Sequence, residues 1–223
     1  MKPLLSRGRA KQQVLDELHL SGVVAVIRTS EPAAIPAAVE ALLSGGLRAI
    51  EITLTTPRAL GVIRQLRERY CGDILLGAGT VMESVEAAAA IDAGAEYLVS
   101  PSIETDVIEE CRKQNVVSIP GAYTPTEIRT ALKAGADVVK VFPASIGGPG
   151  YLRDLAGPLP SARLLPSGGV SFETVGAFFA AGAFAVAVGS TLLDKQLLRD
   201  GRFDVIADNT KRFMALVAER RGS

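Results

Sequence analysis

The stretch Asp137-Val138-Val139-Lys140-Val141-Phe142-Pro143 has the length and β-branched content of a strand buried on both faces. Its lysine has no short route to water from such a strand unless the side chain opens into a cavity. Desolvation disfavours the ammonium form, which lowers the pKa and yields a neutral amine able to attack a carbonyl. The other six lysines, at 2, 11, 113, 133, 195 and 211, fall in termini, loops or helix-like polar stretches. Lys140 is therefore the first candidate for chemistry.

Outward from this run the same pattern repeats. Strand-like segments at Val23–Arg28, Ala49–Leu54, Ile74–Thr80, Tyr97–Pro101, Val116–Ala122, Arg163–Gly168 and Ala185–Ser190 alternate with helix-like segments. Eight βα units with fully buried strands predict a closed parallel α/β barrel, the (β/α)8 TIM barrel, rather than an open sheet. An extra N-terminal helix around Arg9–Leu20 would cap its bottom. Helix starts are signalled by Ser30 with Pro32, Thr56-Pro57, Thr124-Pro125, and Ser171 before Phe172. Ser190 could cap a short helix over Thr191–Leu198. No linker or composition shift divides the chain, so residues 1–223 are expected to form a single barrel domain.

An internal repeat refines the register. Gly46, Gly94, Gly135 and Gly182 each precede an even-numbered strand, as helix-closing glycines do. Five residues on from each stand Glu51, Val99, Lys140 and Ala187. Alternate strands of such a barrel supply the side chains of one interior layer, so Glu51 and Lys140 are predicted to share a layer. A register error of one residue would send either side chain outward.

Composition narrows the partners. The chain has 223 residues, 48% of them hydrophobic, and a formal net charge of zero. There is no basic stripe for nucleic acid or an anionic membrane, and no apolar run approaches the ~20 residues that span a bilayer. Met1–Gln13 is polar and basic without an apolar h-region, so no secretory signal is expected. Cys71 and Cys111 are too isolated for a disulfide framework and fit incidental thiols in a reducing cytoplasm. His19 has no metal-ligating company and no serine partner, which disfavours a metal-dependent lyase; no metal and no cofactor are expected.

Glu51, in Ala49-Ile50-Glu51-Ile52-Thr53-Leu54, repeats the anomaly of a charge within a strand. It could form a buried salt bridge with Lys140, though such pairs stabilise poorly beside apolar packing. Beside a perturbed lysine it is better suited to moving protons. Arg28 ends the first strand, at the barrel rim where active sites lie; it is either a fixed guanidinium for a carboxylate or phosphate, or a surface arginine. Gly77-Ala78-Gly79-Thr80, Ser167-Gly168-Gly169-Val170 and Gly189-Ser190 follow the third, seventh and eighth strands. Each could be an ordinary turn. The last two occupy the recurrent phosphate site of this architecture, where backbone N–H groups meet an anion. Pro101, Pro120 and Pro143 end strands, and Phe142 with Pro143 would supply an apolar wall.

Together these segments resemble the bacterial 2-keto-3-deoxy-6-phosphogluconate (KDPG) and 2-keto-4-hydroxyglutarate (KHG) aldolases. The matching pieces are Val24–Arg28, Glu51–Thr55, Gly77–Val81, Ser100-Pro101, Ile119–Gly121, Lys140–Ala144, Pro166–Val170 and Gly189-Ser190. The resemblance implies a class I aldolase: a (β/α)8 barrel, a homotrimer, with a Schiff-base lysine, no metal, and a phosphorylated keto-acid substrate. It would make Lys140 the Schiff-base lysine and Glu51 the general acid/base. Thr80 and Arg28 would contact the pyruvate moiety, with Thr55, Pro101 and Phe142 in the substrate pocket. Ser167, Gly168, Gly169, Gly189 and Ser190 would hold the phosphate. Two positions depart from the pattern. Many members carry arginine where Thr55 stands, so Arg28 would have to hold the carboxylate. Many carry threonine where Ser167 stands. A galactonate-type (KDPGal) aldolase, a phosphosugar isomerase or epimerase on the same barrel, and a non-catalytic metabolite-binding or scaffold barrel are the rival expectations.

Overall fold

The computed structural model describes residues 9–221. The expectation of no secretory signal rests partly on residues 1–8, which lie outside that range. Nine strands run in chain order: β1 (Val23–Ile27), β2 (Ala49–Thr53), β3 (Leu75–Gly79), β4 (Tyr97–Val99), β5 (Val117–Ile119), β6 (Gly121–Ala122), β7 (Val139–Val141), β8 (Leu164–Pro166) and β9 (Val186–Val188). Between and around them lie α1 (Lys11–Ser21), α2 (Ile35–Ser44), α3 (Ala59–Tyr70), α4 (Ser84–Ala93), α5 (Thr105–Gln114), α6 (Pro125–Ala134), α7 (Gly148–Ala156), α8 (Val175–Ala180), α9 (Lys195–Arg199) and α10 (Phe203–Arg221).

All pairings are parallel. A curled six-stranded sheet has the order β5-β4-β3-β2-β1-β9, and a second sheet has the order β6-β7-β8. The predicted fifth strand is thus two strands. Pro120 has no N–H to donate, so the ladder breaks there, and Val117–Ile119 and Gly121–Ala122 join different sheets. At the other seam a single parallel bridge pairs Ser167 with Ala187, and Phe184 N–H donates to the Leu164 carbonyl at 2.9 Å.

Alternation along each strand separates two apolar layers. Ile50, Ile52, Leu76, Leu98, Val139 and Val186 pack against the helices, whereas Val24, Ala49, Leu75, Tyr97, Val99, Val138, Leu165 and Ala187 face inward. Val14, Leu15 and Leu18 of α1 join the inward set, so this helix plugs the end of the sheet from which the strands start. Each such aliphatic side chain, fully buried, contributes about 1.5–3 kcal/mol. Arg9 beside α1 ties the plug down, with Nη1 2.9 Å from Glu96, whose carboxylate also meets Arg67 at 3.2 Å. His19 stacks on Phe184 with ring centroids 4.9 Å apart.

The four repeat glycines share one device. Gly46, Gly94, Gly135 and Gly182 all have φ between 90° and 111°. The following N–H groups, of Leu47, Ala95, Ala136 and Ala183, reach back five residues to helix carbonyls at 3.0–3.1 Å. This closes each helix and aims the chain into the next strand. Helix starts follow the sequence signals less closely. Thr124 and Glu127 form a reciprocal capping box on α6 as expected. Pro32 instead opens a short 3-10 turn before α2, α3 starts at Ala59 behind Arg58, and Thr174 rather than Ser171 precedes α8. Ser190 caps nothing: α9 begins at Lys195, where the Asp194 carboxylate accepts from the N–H groups of Gln196 and Leu197. A carboxylate stabilises a helix start more than a hydroxyl further upstream. Among the described residues no helix is long and apolar enough to cross a membrane.

Candidate active site

Lys140 lies in the middle of β7 and Glu51 in the middle of β2, exposed by only 9% and 2%. Both line a cavity of about 480 Å3 on the inner side of the sheets. Ala187 and Val99, the other members of the predicted layer, also face inward. Glycine creates the room. Gly79 on β3 lies beneath the Glu51 carboxylate, and a Cβ there would sit 1.8 Å from Glu51 Oε1.

The two charges do not form the salt bridge that a purely structural role would require: no direct ion pair joins them among the described residues. The Lys140 ammonium position lies 4.7 Å from the centre of the Phe142 ring and makes no hydrogen bond among the described residues. The amine and the carboxylate thus both open into the cavity without a committed partner. Burial raises the Glu51 pKa above its ordinary value of 4.5, against the opposing pull of Lys140 and Arg28. A raised carboxyl contributes stability that is present below pH 4.5 and is lost as pH rises through the folded-state value. Glu51→Gln has no such proton to lose. Its melting temperature, relative to the parent's, is expected to climb as pH rises from 4.5 through the folded-state value and then to level off, as measured by thermal unfolding across pH.

Arg28 stands at the rim just after β1. Its Nη1 donates to Thr55 Oγ1 and its Nη2 to Thr80 Oγ1, each at 3.1 Å. Thr80 holds φ at +58°, an uncommon conformation for a β-branched residue, which presents its hydroxyl to the guanidinium. Thr55 is not in the cavity with Lys140. It lines an adjoining groove with Thr29, Glu31, Lys195 and Arg199, and reaches the cavity only through Arg28.

Beside Arg28, after the neighbouring strands, Ser167, Gly168, Gly169, Gly189 and Ser190 line the cavity, as do Pro101 and Phe142. Gly168 and Gly169 have φ of +83° and +78°, a left-handed backbone without side chains that leaves room for an anion to approach the N–H groups. A Cβ on Gly169 would lie 2.8 Å from Ser145 Cα. Gly169→Ala therefore combines strain with a backbone clash, and is expected to raise KM for a phosphorylated substrate about tenfold or more while sparing an unphosphorylated one. Steady-state kinetics on both substrates checks this. Ser171 and Thr191 also line the cavity, which the sequence does not announce. Thr191 Oγ1 donates to the Val170 carbonyl at 2.8 Å and locks the two glycine turns together. The only sequence signal for either is a hydroxyl next to a glycine turn.

Parallel βα units, a partnerless buried amine, a carboxyl whose pKa is raised by burial and two glycine turns on the same cavity fit a lyase of the aldolase type. Comparisons with known proteins agree. The family pattern described as KDPG and KHG aldolase matches residues 14–208. The 2-dehydro-3-deoxy-phosphogluconate aldolase of Treponema pallidum is 34% identical over 92% of this chain and 96% of its own. The 2-dehydro-3-deoxy-6-phosphogalactonate aldolase of Escherichia coli is 34% identical over 76% of this chain and 83% of its own. A Legionella pneumophila KDPG aldolase, with pyruvate captured as a covalent carbinolamine, superposes with a TM-score of 0.83 at 26% identity over 89% of this chain and 97% of its own. The chain belongs to the KDPG/KHG aldolase family.

Proposed function

We propose that this protein is a class I aldolase that cleaves 2-keto-3-deoxy-6-phosphogluconate to pyruvate and glyceraldehyde 3-phosphate, and 4-hydroxy-2-oxoglutarate to pyruvate and glyoxylate. The observation that carries this reading is the buried Lys140 amine, free of hydrogen bonds and ion pairs among the described residues, sharing a cavity with Glu51. In the mechanism the free-base amine attacks the C2 ketone, and uptake of one proton from water with loss of the C2 oxygen as water leaves a protonated imine, the proton being released again when that imine is hydrolysed. Glu51, through a water, takes the C4 hydroxyl proton. The C3–C4 bond breaks, its electron pair moves into the imine to give an enamine, and the aldehyde departs. Glu51 returns the proton to C3, and hydrolysis of the imine releases pyruvate and regenerates Lys140. A carboxyl raised by burial suits a group that must both accept and return this proton.

The pyruvate carboxylate is assigned to Arg28, which the Thr55 and Thr80 hydroxyls hold at the cavity rim. Arg28→Ala should raise the KM for substrate about tenfold to a hundredfold, with a smaller effect on kcat, because a charged hydrogen bond to a carboxylate contributes about 1.5–3 kcal/mol. An unchanged KM would move the carboxylate elsewhere. The phosphate is assigned to the Ser167–Gly169 and Gly189-Ser190 turns. Residues 1–223 are read as one domain in which the two sheets, meeting at Pro120 and at the Ser167–Ala187 bridge, close into a (β/α)8 barrel. Resemblance to the family supports a homotrimer working in the cytoplasm.

The 34% identity to an aldolase of the galactonate series keeps the C4 epimer as a second substrate to be compared. Pyruvate release from both C4 epimers, with and without phosphate, tests the assignment. The gluconate-derived phosphate ester is expected to turn over fastest; no pyruvate from any of these or from 4-hydroxy-2-oxoglutarate would refute it.

A further inference from the structure

Tyr97, the first residue of β4, is fully buried on the inner face, and its hydroxyl has no hydrogen-bond partner among the described residues. A buried hydroxyl without a partner is uncommon in a folded protein and calls for a cause. Its place in the sheet supplies one. Glu51 pairs with Gly77, and Gly77 pairs with Tyr97, so the three residues form one row on one face. Gly77 carries no side chain, and the phenol fills the space: a Cβ there would meet Tyr97 Cζ at 2.3 Å. Two residues along β3, the Glu51 carboxylate fills the space over Gly79. Phenol tip and carboxylate therefore cover positions i and i+2 of one strand, a rise of about 6–7 Å. Two hydrogen bonds of about 2.8 Å through one water would span most of that distance.

The groups around Glu51 leave this role open. Lys140 from β7 and Arg28 from the end of β1 influence its charge but make no bond to it. Glu96, adjacent to Tyr97 on the chain, is engaged by Arg9 and Arg67. Burial, and next the charge of Glu51, hold the Tyr97 phenol well above its ordinary range, so it remains an O–H donor.

We propose that the Tyr97 hydroxyl is a positioning residue for Glu51, donating to the ionised carboxylate through one water and holding it toward the cavity. The role of Glu51 in turnover rests on the aldolase reading above; the hydrogen bond itself does not. Tyr97→Phe keeps the ring and removes only the donor. Loss of a donor to an ionised group should move the acid limb of the kcat–pH profile upward by about one pH unit, with KM unchanged. The infrared band of the protonated Glu51 carboxyl, assigned by its loss in Glu51→Gln, should titrate at correspondingly higher pH. That band needs no turnover, so a failed aldolase reading shows separately, as no pyruvate release by the parent protein. A band unmoved by Tyr97→Phe overturns the proposal, and a higher melting temperature alongside it would mark the hydroxyl as a plain unpaired group.

Discussion

Borohydride added with pyruvate should leave the parent protein heavier by one reduced pyruvyl group, and should leave Lys140→Ala unchanged in mass. Cleavage by that variant should fall roughly 10⁴-fold or more, because the carbon–carbon bond then lacks its electron sink. The expectation rests on position. Lys140 is buried on β7, has the Phe142 ring at 4.7 Å, and is tied up in no salt bridge among the described residues. Its loss breaks no hydrogen bond or ion pair of the fold, so the fold should survive, and circular dichroism checks that. Lys195, in the groove on the far side of Arg28, is the internal control: its removal should leave the adduct in place. An adduct that persists in Lys140→Ala would assign the imine to another amine.

Glu51→Gln should separate the two halves of the reaction. The amide keeps the shape that fits over Gly79 but cannot take the C4 proton. Turnover is expected to fall about 10²–10⁴-fold, the usual contribution of a general acid/base, while pyruvate is still trapped on Lys140. Turnover within a factor of a few of the parent's would remove Glu51 from proton transfer. Loss of trapping as well would mean that the carboxylate also prepares the amine.

Much of this site is legible in the amino-acid sequence. A lone lysine and a lone glutamate in apolar runs stand out because a buried charge is rarely tolerated without use. The glycine count puts both on the inner face because every counted glycine closes its helix with the same five-residue reach. Arg28, Thr80 and the glycine turns are readable from their place after strands. Thr55, which the family resemblance sets among the substrate-binding residues, lines the groove beside the cavity and accepts from Arg28. The split at Pro120 and the capping of α9 by Asp194 escape the sequence, since each is a competition between neighbours that a single residue does not announce. Tyr97 reads as one more apolar strand residue, because a hydroxyl's lack of a partner is a property of its surroundings.

By itself the sequence determined the parallel βα order, the glycine-closed helix ends and the two charged residues that stand within strands. These depend on periodicity and turn chemistry among residues adjacent in the chain. Only the tertiary structure decided that Lys140 and Glu51 open into one cavity without an ion pair between them, that Arg28 is held by Thr55 and Thr80, and that the Tyr97 phenol covers Gly77, two residues along β3 from the glycine under the carboxylate. Those outcomes depend on how the sheets curl and which way side chains lean across strands. The space left by Gly77 and Gly79 sets that lean, and no local pattern encodes it.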